Sequence, residues 1–177
     1  MTRTAAREIA IQICYASLLS GTPVNEVTDA LFAPEYFSTL SEENEIFRTK
    51  PNEKQLSYIR TLTSETASHM DELNAIIEKY SRDWKVERIS KVAASILRCA
   101  IAEILYLDEV PVSVTINEAV ELAKGYEEPE TVSFINGILG GFVRSEVEPA
   151  AAAPEAGLFS LFISGIRPDG KESPFLH

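Results

Sequence analysis

The chain has 177 residues, of which 45% are hydrophobic and 24% charged, and its formal net charge at pH 7 is -11. This length fits one domain with a single sizeable core, and the composition is that of an ordinary globular protein. Strong nonspecific binding to nucleic acid is disfavoured, because phosphate binding depends largely on lysine and arginine. The acidic total still allows a local basic site.

Cys14 and Cys99 are far apart and lie within apolar helical patterns. Buried, reduced thiols are therefore favoured over a disulfide or a redox pair, which indicates the cytoplasm. The apolar run 9–19 superficially resembles the core of a signal peptide, but its helical periodicity and interspersed polar residues argue against secretion. No stretch approaches the roughly 20 apolar residues that a membrane helix needs, so we expect no membrane association.

Helical signals begin at the N-terminus. A first helix is predicted from a cap at Thr4 to about Ser20, with Gly21 as its end. A second helix begins near Pro23 and is stopped by Pro34, which cannot continue it.

The next part of the chain is less regular. Residues 36–51 are acidic and indicate a loop or a short broken helix. Asn52 is a suitable cap for another helix, and the apolar pattern that resumes over 70–80 is either its continuation or a separate helix.

The strongest amphipathic pattern covers 90–107 and predicts the central core helix. Arg98 and Glu103 lie off its apolar stripe, where such residues are usually solvated or paired. Two more helical patterns follow Pro111 and extend to Arg144. Because no strand alternation of useful length occurs, the sequence predicts an all-α fold, a compact bundle of about seven helices.

The composition changes after Glu148. Residues 149–154 are rich in proline and alanine, and an apolar patch follows at 158–163. We therefore predict a helical domain at 1–148 and a linker with a C-terminal tail at 149–177. The apolar patch is expected to dock on its own or a neighbouring subunit.

The last two helical patterns contain residues that a helix interior disfavours, namely Asn117, Asn136, Gly137, Gly140 and Gly141. Taken alone, the glycines suggest the close approach of a neighbouring helix. The asparagines suggest side chains that satisfy buried backbone groups.

Signals for catalysis are weak. The only histidines, His69 and His177, have no metal-ligand spacing, and no glycine-rich phosphate loop is present. Glu118 and Glu121 are more typical of a solvated face than of an acid and base pair. We therefore expect a protein that is not an enzyme, with no cofactor and no metal.

Four stretches of the sequence, taken in their order along the chain, are specific enough to indicate a protein family. They are TAAREIAIQICYASLLSG, the lone tryptophan with its approach to Ile89 and Ser90, SILRCAIAEILYLDEVPV, and the pair INEAVELAK and FINGIL. Together they resemble the NusB family of bacterial transcription antitermination factors over about residues 2–147. The resemblance implies binding of boxA-like single-stranded RNA together with NusE, a ribosomal protein that doubles as an antitermination factor. It places both in a transcription complex with RNA polymerase on rRNA operons.

The resemblance also implies an RNA site built from the first helix and the start of the last one. The matching residues of this sequence are Arg3, Arg7, Gln12, Tyr15, Ser133, Phe134 and Asn136. Cations for the phosphates and aromatics for stacking are what single-stranded RNA needs. We expect Arg7 and Phe134 to share one surface, with a core position for Phe134 as an equal alternative.

Some family features are missing. Only two arginines stand at the N-terminus, and Ser133 occupies a position where relatives commonly have lysine, so RNA should bind weakly without a partner. Ala93 and Ala94 replace an acidic and a basic residue, which leaves the contacts with NusE open. One alternative is a homo-oligomeric adaptor, such as a homodimer, with weak or no RNA binding. Another is the similar module of rRNA cytosine methyltransferases, but we expect no catalytic domain in a chain of this length.

Overall fold

The computed structural model describes residues 1–82 and 84–150, which form eight α-helices and no strand. The helices are α1 (Arg3–Ser20), α2 (Val24–Leu31), α3 (Pro34–Glu43), α4 (Glu53–Ser68), α5 (Met70–Tyr80), α6 (Lys91–Tyr106), α7 (Val112–Tyr126) and α8 (Pro129–Phe142). Two 3-10 segments, Glu45–Phe47 and Val86–Arg88, and a π-helical segment, Val143–Val147, complete them. The all-α prediction is confirmed, with one helix more than expected.

The chain divides into two units, of which one ends at Leu139 and the other begins at Gly140. The domain boundary predicted at 148 stays a prediction. Residues 151–177 of the predicted linker and tail lie outside the described residues. None of the helices in 1–82 and 84–150 is long and apolar enough to cross a membrane.

Local signals fix most helix ends. The cap of α1 is Thr2 rather than Thr4, since the Ala5 amide donates to Thr2 Oγ1 at 3.1 Å. Gly21 closes α1 in the left-handed conformation with φ 72°. Asn52 and Gln55 form a reciprocal capping box at the start of α4.

The acidic segment forms a helix because it contains buried aromatic residues. Pro34 occupies the first turn of α3 instead of only stopping α2. Phe37 and Phe47 are buried, and their ring centroids lie 5.9 Å apart. Of the two alternatives for residues 36–51, a loop or a short broken helix, the structure therefore has the broken helix. The helices α4 and α5 are separate, with His69 between them.

Helix α6 is the central helix, as predicted, and contacts α1, α4, α5 and α7. Its face includes the fully buried Ile96, Leu97 and Ile101. Arg98 is also buried, its Nε donates to Asn74 Oδ1 at 2.7 Å, and burial lowers the pKa of its guanidinium. The residues predicted to lie off the stripe are thus paired inside the protein rather than solvated.

The cysteines are free thiols, as expected, with Cys99 buried and Cys14 half-buried. A hydrogen bond with Cys14 and burial both raise the pKa of Cys99, so this thiol stays protonated and unreactive.

The asparagines and glycines of α7 and α8 do not have the burial and contacts expected of them. Asn117 and Asn136 are exposed, so neither satisfies a buried backbone group. A Cβ atom on Gly137 would meet nothing within 4 Å, and one on Gly140 would meet the Arg144 guanidinium at 3.0 Å. The prediction that a neighbouring helix approaches closely is therefore wrong for both Gly137 and Gly140.

Candidate nucleic-acid interface

Arg3 begins α1 and is exposed. Its Cζ lies 4.6 Å from the ring centroid of Tyr58, a cation–π distance. Arg3 and Lys54 line an open groove with a volume of about 370 Å³. Both cations reach solvent, so nothing in the described residues blocks a phosphate at this end of α1, and the role expected of Arg3 stays a prediction.

Arg7, one turn further along α1, is buried. Its Nε and Nη2 donate to the two carboxylate oxygens of Glu103 at 2.8 and 2.7 Å, and its Nη1 lies 3.4 Å from Glu118 Oε2. Tyr58 completes this group by donating its hydroxyl to Glu103 Oε1 at 2.9 Å. We call Arg7, Tyr58, Glu103 and Glu118 the Arg7 cluster.

The Arg7 cluster corrects one expectation. The sequence predicts Arg7 as a cation of the RNA surface, but its side chain is only 4% exposed and that of Glu103 is 0% exposed. The bidentate pair occupies the planar edge of the guanidinium that would otherwise recognise a phosphate. In this conformation Arg7 orders the protein interior and does not present a cation to a ligand.

The charges of the Arg7 cluster are fixed by their surroundings. Burial opposes the charge on Arg7, but the hydrogen bond to Glu103 and the nearby carboxylates outweigh it and raise the pKa of the guanidinium. Burial and the Glu103 carboxylate raise the pKa of Tyr58 as well. The cluster therefore contains a permanent cation and a neutral phenol around physiological pH.

Gln12 and Tyr15 lie on a different part of α1, beside an apolar cavity with a volume of about 320 Å³ between α1, α6 and α7. Gln12 Nε2 donates to the Tyr126 hydroxyl at 3.2 Å, and this hydroxyl donates to Glu8 Oε1 at 2.5 Å. Burial and the bond to Glu8 raise the pKa of Tyr126. Gln12 is thus held by a partner, while Tyr15 is half-buried at the cavity wall.

The three predicted residues of α8 lie on its first turns. Ser133 and Asn136 are exposed, and Phe134 is half-buried. The Phe134 ring lies 6.2 Å from the ring of Trp84, centroid to centroid, at an interplanar angle of 54°. Phe134 is therefore neither a fully buried core residue nor an isolated surface ring, but part of an aromatic pair.

The contacts sort the seven predicted residues into separate groups. Arg3 and Arg7 share Tyr58, whereas Gln12 bonds to Tyr126 and Phe134 contacts Trp84. The side chains of Ser133 and Asn136 have no hydrogen-bond partner among the described residues. The single surface expected for Arg7 and Phe134 is not formed by their side-chain contacts.

Sequence reasoning missed Trp84 as an exposed aromatic residue and missed Glu103 as the partner of Arg7. A signal existed for Glu103, because a carboxylate on the central core helix needs a buried partner and Arg7 interrupts an apolar stretch of α1. For Trp84 the signal was its charged surroundings, with cations at positions 82, 85 and 88 and carboxylates at 83 and 87.

Comparison with known proteins agrees with this architecture. Residues 4–144 match the model of the NusB family. The transcription antitermination protein NusB of Natranaerobius thermophilus is 39% identical over 139 residues, which cover 78% of this chain and 92% of that protein.

Two solved structures have the same fold. T. maritima NusB is 21% identical with a TM-score of 0.68, and the match covers 82% of this chain and 92% of that one. A chain in the structure of the antitermination factors NusB and NusE in complex with dsRNA is 24% identical with a TM-score of 0.64, covering 81% of this chain and 96% of that one. The helix order, the match over most of the chain and the similarity to its relatives establish that this chain belongs to the NusB family.

Proposed function

We propose that this protein is a transcription antitermination factor that binds boxA-like single-stranded RNA together with NusE. In this proposal it acts in the cytoplasm, within a transcription complex with RNA polymerase on rRNA operons. Binding and positioning are its whole mechanism, and no covalent step is involved.

The observation that carries the proposal is the family match over residues 4–144, which includes both the N-terminal helix and the start of α8. Relatives with 34% to 42% identity are named transcription antitermination protein NusB. One structural neighbour contains NusB and NusE with dsRNA. These names support a role in RNA binding with the same protein partner.

The exposed part of α8 supports the same proposal. The exposed side chains of Ser133 and Asn136 offer a hydroxyl and an amide with no hydrogen-bond partner in residues 1–82 and 84–150, and the half-buried Phe134 lies between them in the sequence. Unpaired RNA bases are recognised by such hydrogen-bonding groups and by stacking on aromatic rings. We therefore propose α8 as the part of the site that contacts bases.

Helix α1 supplies the phosphate contacts in this proposal, with Arg3 as the exposed cation. Gln12 and Tyr15 contribute from the cavity beside Tyr126, and Arg7 contributes only indirectly, by holding α1 against α6 through Glu103. With one exposed arginine on α1, we expect low affinity for RNA in the absence of NusE.

The test is RNA binding measured with and without NusE. A fluorescently labelled single-stranded RNA with a boxA-like element is titrated with this protein, with NusE, and with both together. We expect weak binding to either protein and much tighter binding to the mixture, whereas a scrambled RNA of equal composition should not show this gain.

Two variants locate the site. Phe134→Ala should reduce the affinity for the boxA-like RNA by removing stacking, worth about 1–3 kcal/mol per base. Asn136→Leu should weaken binding while changing the free energy of unfolding by less than about 0.5 kcal/mol, because the side chain is exposed. If this protein binds neither NusE nor, in the presence of NusE, the RNA, the homo-oligomeric adaptor becomes the better explanation. The oligomeric state should then be measured by sedimentation.

A further inference from the structure

A short segment between α5 and α6 is rich in exposed cations. Arg82, Lys85 and Arg88 are all exposed and line an open groove with a volume of about 440 Å³, together with Trp84. Positions 82–88 also contain Asp83 and Glu87, so three cations and two carboxylates leave this stretch with a formal charge of +1, in a chain whose net charge is -11. Arg82 and Arg88 form no ion pair among the described residues.

Nearby carboxylates compensate only part of this charge. Glu78 Oε2 lies 3.8 Å from Lys85 Nζ, and Glu87 is exposed within the 3-10 segment. A pair at this distance on the surface is weak and leaves the lysine available to a ligand. A third carboxylate, Asp83, also stands among these cations in the sequence. The guanidinium groups of Arg82 and Arg88 nevertheless stay exposed to solvent and available to an anionic ligand.

Trp84 stands in the middle of these cations and is 56% exposed. Its ring lies 6.2 Å from that of Phe134, which is itself half-buried on α8. An aromatic ring that stays this exposed has area on which an unpaired base can stack. The pair offers an aromatic surface next to three cations.

Trp84 and Val86 are held by hydrogen bonds before any ligand binds. Ser81 is buried, and its hydroxyl donates to the backbone oxygens of Glu78 at 3.1 Å and of Trp84 at 2.8 Å. The Val86 amide donates to Glu78 Oε1 at 3.3 Å. These bonds hold the backbone of Trp84 and Val86 against the end of α5, which reduces the ordering that these residues need on binding.

Arg82 has φ 54°, the one positive φ outside glycine in residues 1–82 and 84–150. It follows the C-cap of α5, Ser81, at the position where glycine is usual because its backbone adopts this conformation without strain. An arginine here costs conformational energy, which is consistent with a use for its side chain.

We infer that Arg82, Trp84, Lys85, Arg88 and Phe134 form a binding subsite for single-stranded RNA, which we call the Trp84 platform. One unpaired base stacks on Trp84 beside Phe134, and the flanking phosphates bind the three cations. The inference rests on the proposed function, since it extends the base-contacting face of α8 onto the segment before α6.

Trp84 is the single tryptophan of the chain, so its fluorescence reports on the platform directly. The full chain is titrated with a single-stranded boxA-like RNA of about 12 nucleotides and, as a control, with an RNA duplex of equal length. The single strand should quench the emission in a saturable way, with the same midpoint as the anisotropy of labelled RNA. The duplex should quench it far less, because its bases are already stacked.

Two variants separate binding from folding. Trp84→Ala should weaken binding of the RNA in the presence of NusE about 5- to 150-fold, the equivalent of one lost stacking contact. Arg82→Gly should weaken it several-fold while leaving the thermal unfolding temperature equal or higher, since glycine relieves the positive φ. Tyr36→Ala and Arg48→Ala are matched controls, because Tyr36 is 53% exposed and Arg48 is exposed, both away from this segment. Neither control should change the affinity.

Each failure has a distinct signature. If RNA binds with NusE but leaves Trp84 emission and the affinity of Trp84→Ala unchanged, the platform is wrong and the proposed function stands. If NusE alone, measured against a Trp84→Phe blank, changes the emission and RNA adds nothing, the surface is a protein interface and the inference is overturned. If no RNA binds with or without NusE, both the platform and the proposed function are wrong.

Discussion

The Arg7 cluster and the Trp84 platform contain the same kinds of residue in opposite situations. In the first, the guanidinium and the phenol ring are buried and bonded to Glu103, whose side chain is 0% exposed. In the second, Trp84 is 56% exposed and the cations around it face solvent. The difference is that Arg7 is paired with a buried carboxylate, whereas the cations of the platform are exposed to solvent. An arginine in a motif can therefore either stabilise the protein interior or bind a ligand.

The same comparison explains how an acidic protein can bind RNA. A cation that is neutralised by a buried carboxylate contributes nothing to the attraction of phosphate, whereas exposed cations release counterions when RNA binds. The binding surface is therefore determined by which arginines lack internal partners rather than by the number of arginines in the chain.

The largest expected effect is that of Arg7→Ala on stability. This change removes both bonds to Glu103 and leaves a buried carboxylate with Tyr58 as its hydrogen-bond donor. Breaking one side of a buried pair costs about 3–5 kcal/mol. Urea denaturation near neutral pH should show a loss of this size, while Arg3→Ala, which removes an exposed cation near the same Tyr58 ring, should cost less than about 1 kcal/mol.

A double variant tests the cause of that loss. Replacing the pair by apolar residues, Arg7→Met with Glu103→Leu, should recover much of the stability, because no charge is then left buried alone. A normally stable Arg7→Ala protein with weakened RNA binding would contradict the comparison and return Arg7 to the ligand surface.

Tyr58→Phe is expected to have the next largest effect. It removes the hydrogen bond from the phenol to Glu103 Oε1, at a cost of about 1.5–3 kcal/mol for a bond to a charged group. The pKa of Tyr58 is raised by burial and by Glu103 above the reference value of 10.0. The unfolded chain therefore loses this proton first as the pH rises, and the folded state loses stability above about pH 10.

Unfolding free energies at about pH 8 and about pH 11 measure this linkage. Wild-type protein should lose more stability than Tyr58→Phe over this interval, so that the gap between the two narrows. Equal slopes for both proteins would mean that the Tyr58 hydroxyl is not buried against Glu103 in solution.

Most of the fold could be predicted from the sequence, because helix periodicity and caps are local signals. The Asn52 cap and the apolar stripe of α6 are of this kind, and both are present as expected, whereas the reciprocal bond from Gln55 was not predicted. The helix in the acidic segment was only one of two alternatives, since its formation depends on the burial of Phe37 and Phe47 by the rest of the protein.

The site was harder to predict, because its properties depend on partners that are distant in the sequence. Arg7 and Glu103 are 96 positions apart, and neither residue alone indicates whether it is paired or exposed. The apolar neighbours of Asn136 suggested burial, but the helix turns this residue outward between Ile135 and Ile138. The residue types indicate which side chains could bind RNA, but only the packing of the helices determines which of them are exposed.

The salt dependence of RNA affinity tests whether the exposed cations of the Trp84 platform, rather than the buried Arg7, contact phosphate. With two or three phosphates contacted, log K should fall with log salt with a slope of about -2, so a fourfold increase in salt weakens binding about 16-fold. Arg88→Ala should make the slope shallower by about 0.7 because it removes one exposed cation. A much steeper wild-type slope would indicate a further cation on the RNA backbone, such as Lys54, which lines the same groove as Arg3.

The smallest effect is a gain in stability from Gly137→Ala. Gly137 is exposed within α8, and an added Cβ would meet nothing within 4 Å. Alanine restricts the unfolded chain more than glycine does, so thermal or urea unfolding should show a stabilisation of about 0.4–1 kcal/mol. Gly125→Ala is the matched control, because Gly125 is also helical and exposed and has the same open surroundings.

The two glycine variants should differ in RNA binding. Gly137 follows Asn136 on the face proposed to contact bases, so a methyl group there should hinder the close approach of RNA, whereas Gly125→Ala should bind normally. In the Arg7 cluster, by contrast, stability and binding should fall together, because these residues act through the fold. A Gly137→Ala protein that is more stable and binds RNA as tightly as wild type would move the contact surface away from the middle of α8 and toward Trp84 and the start of the helix.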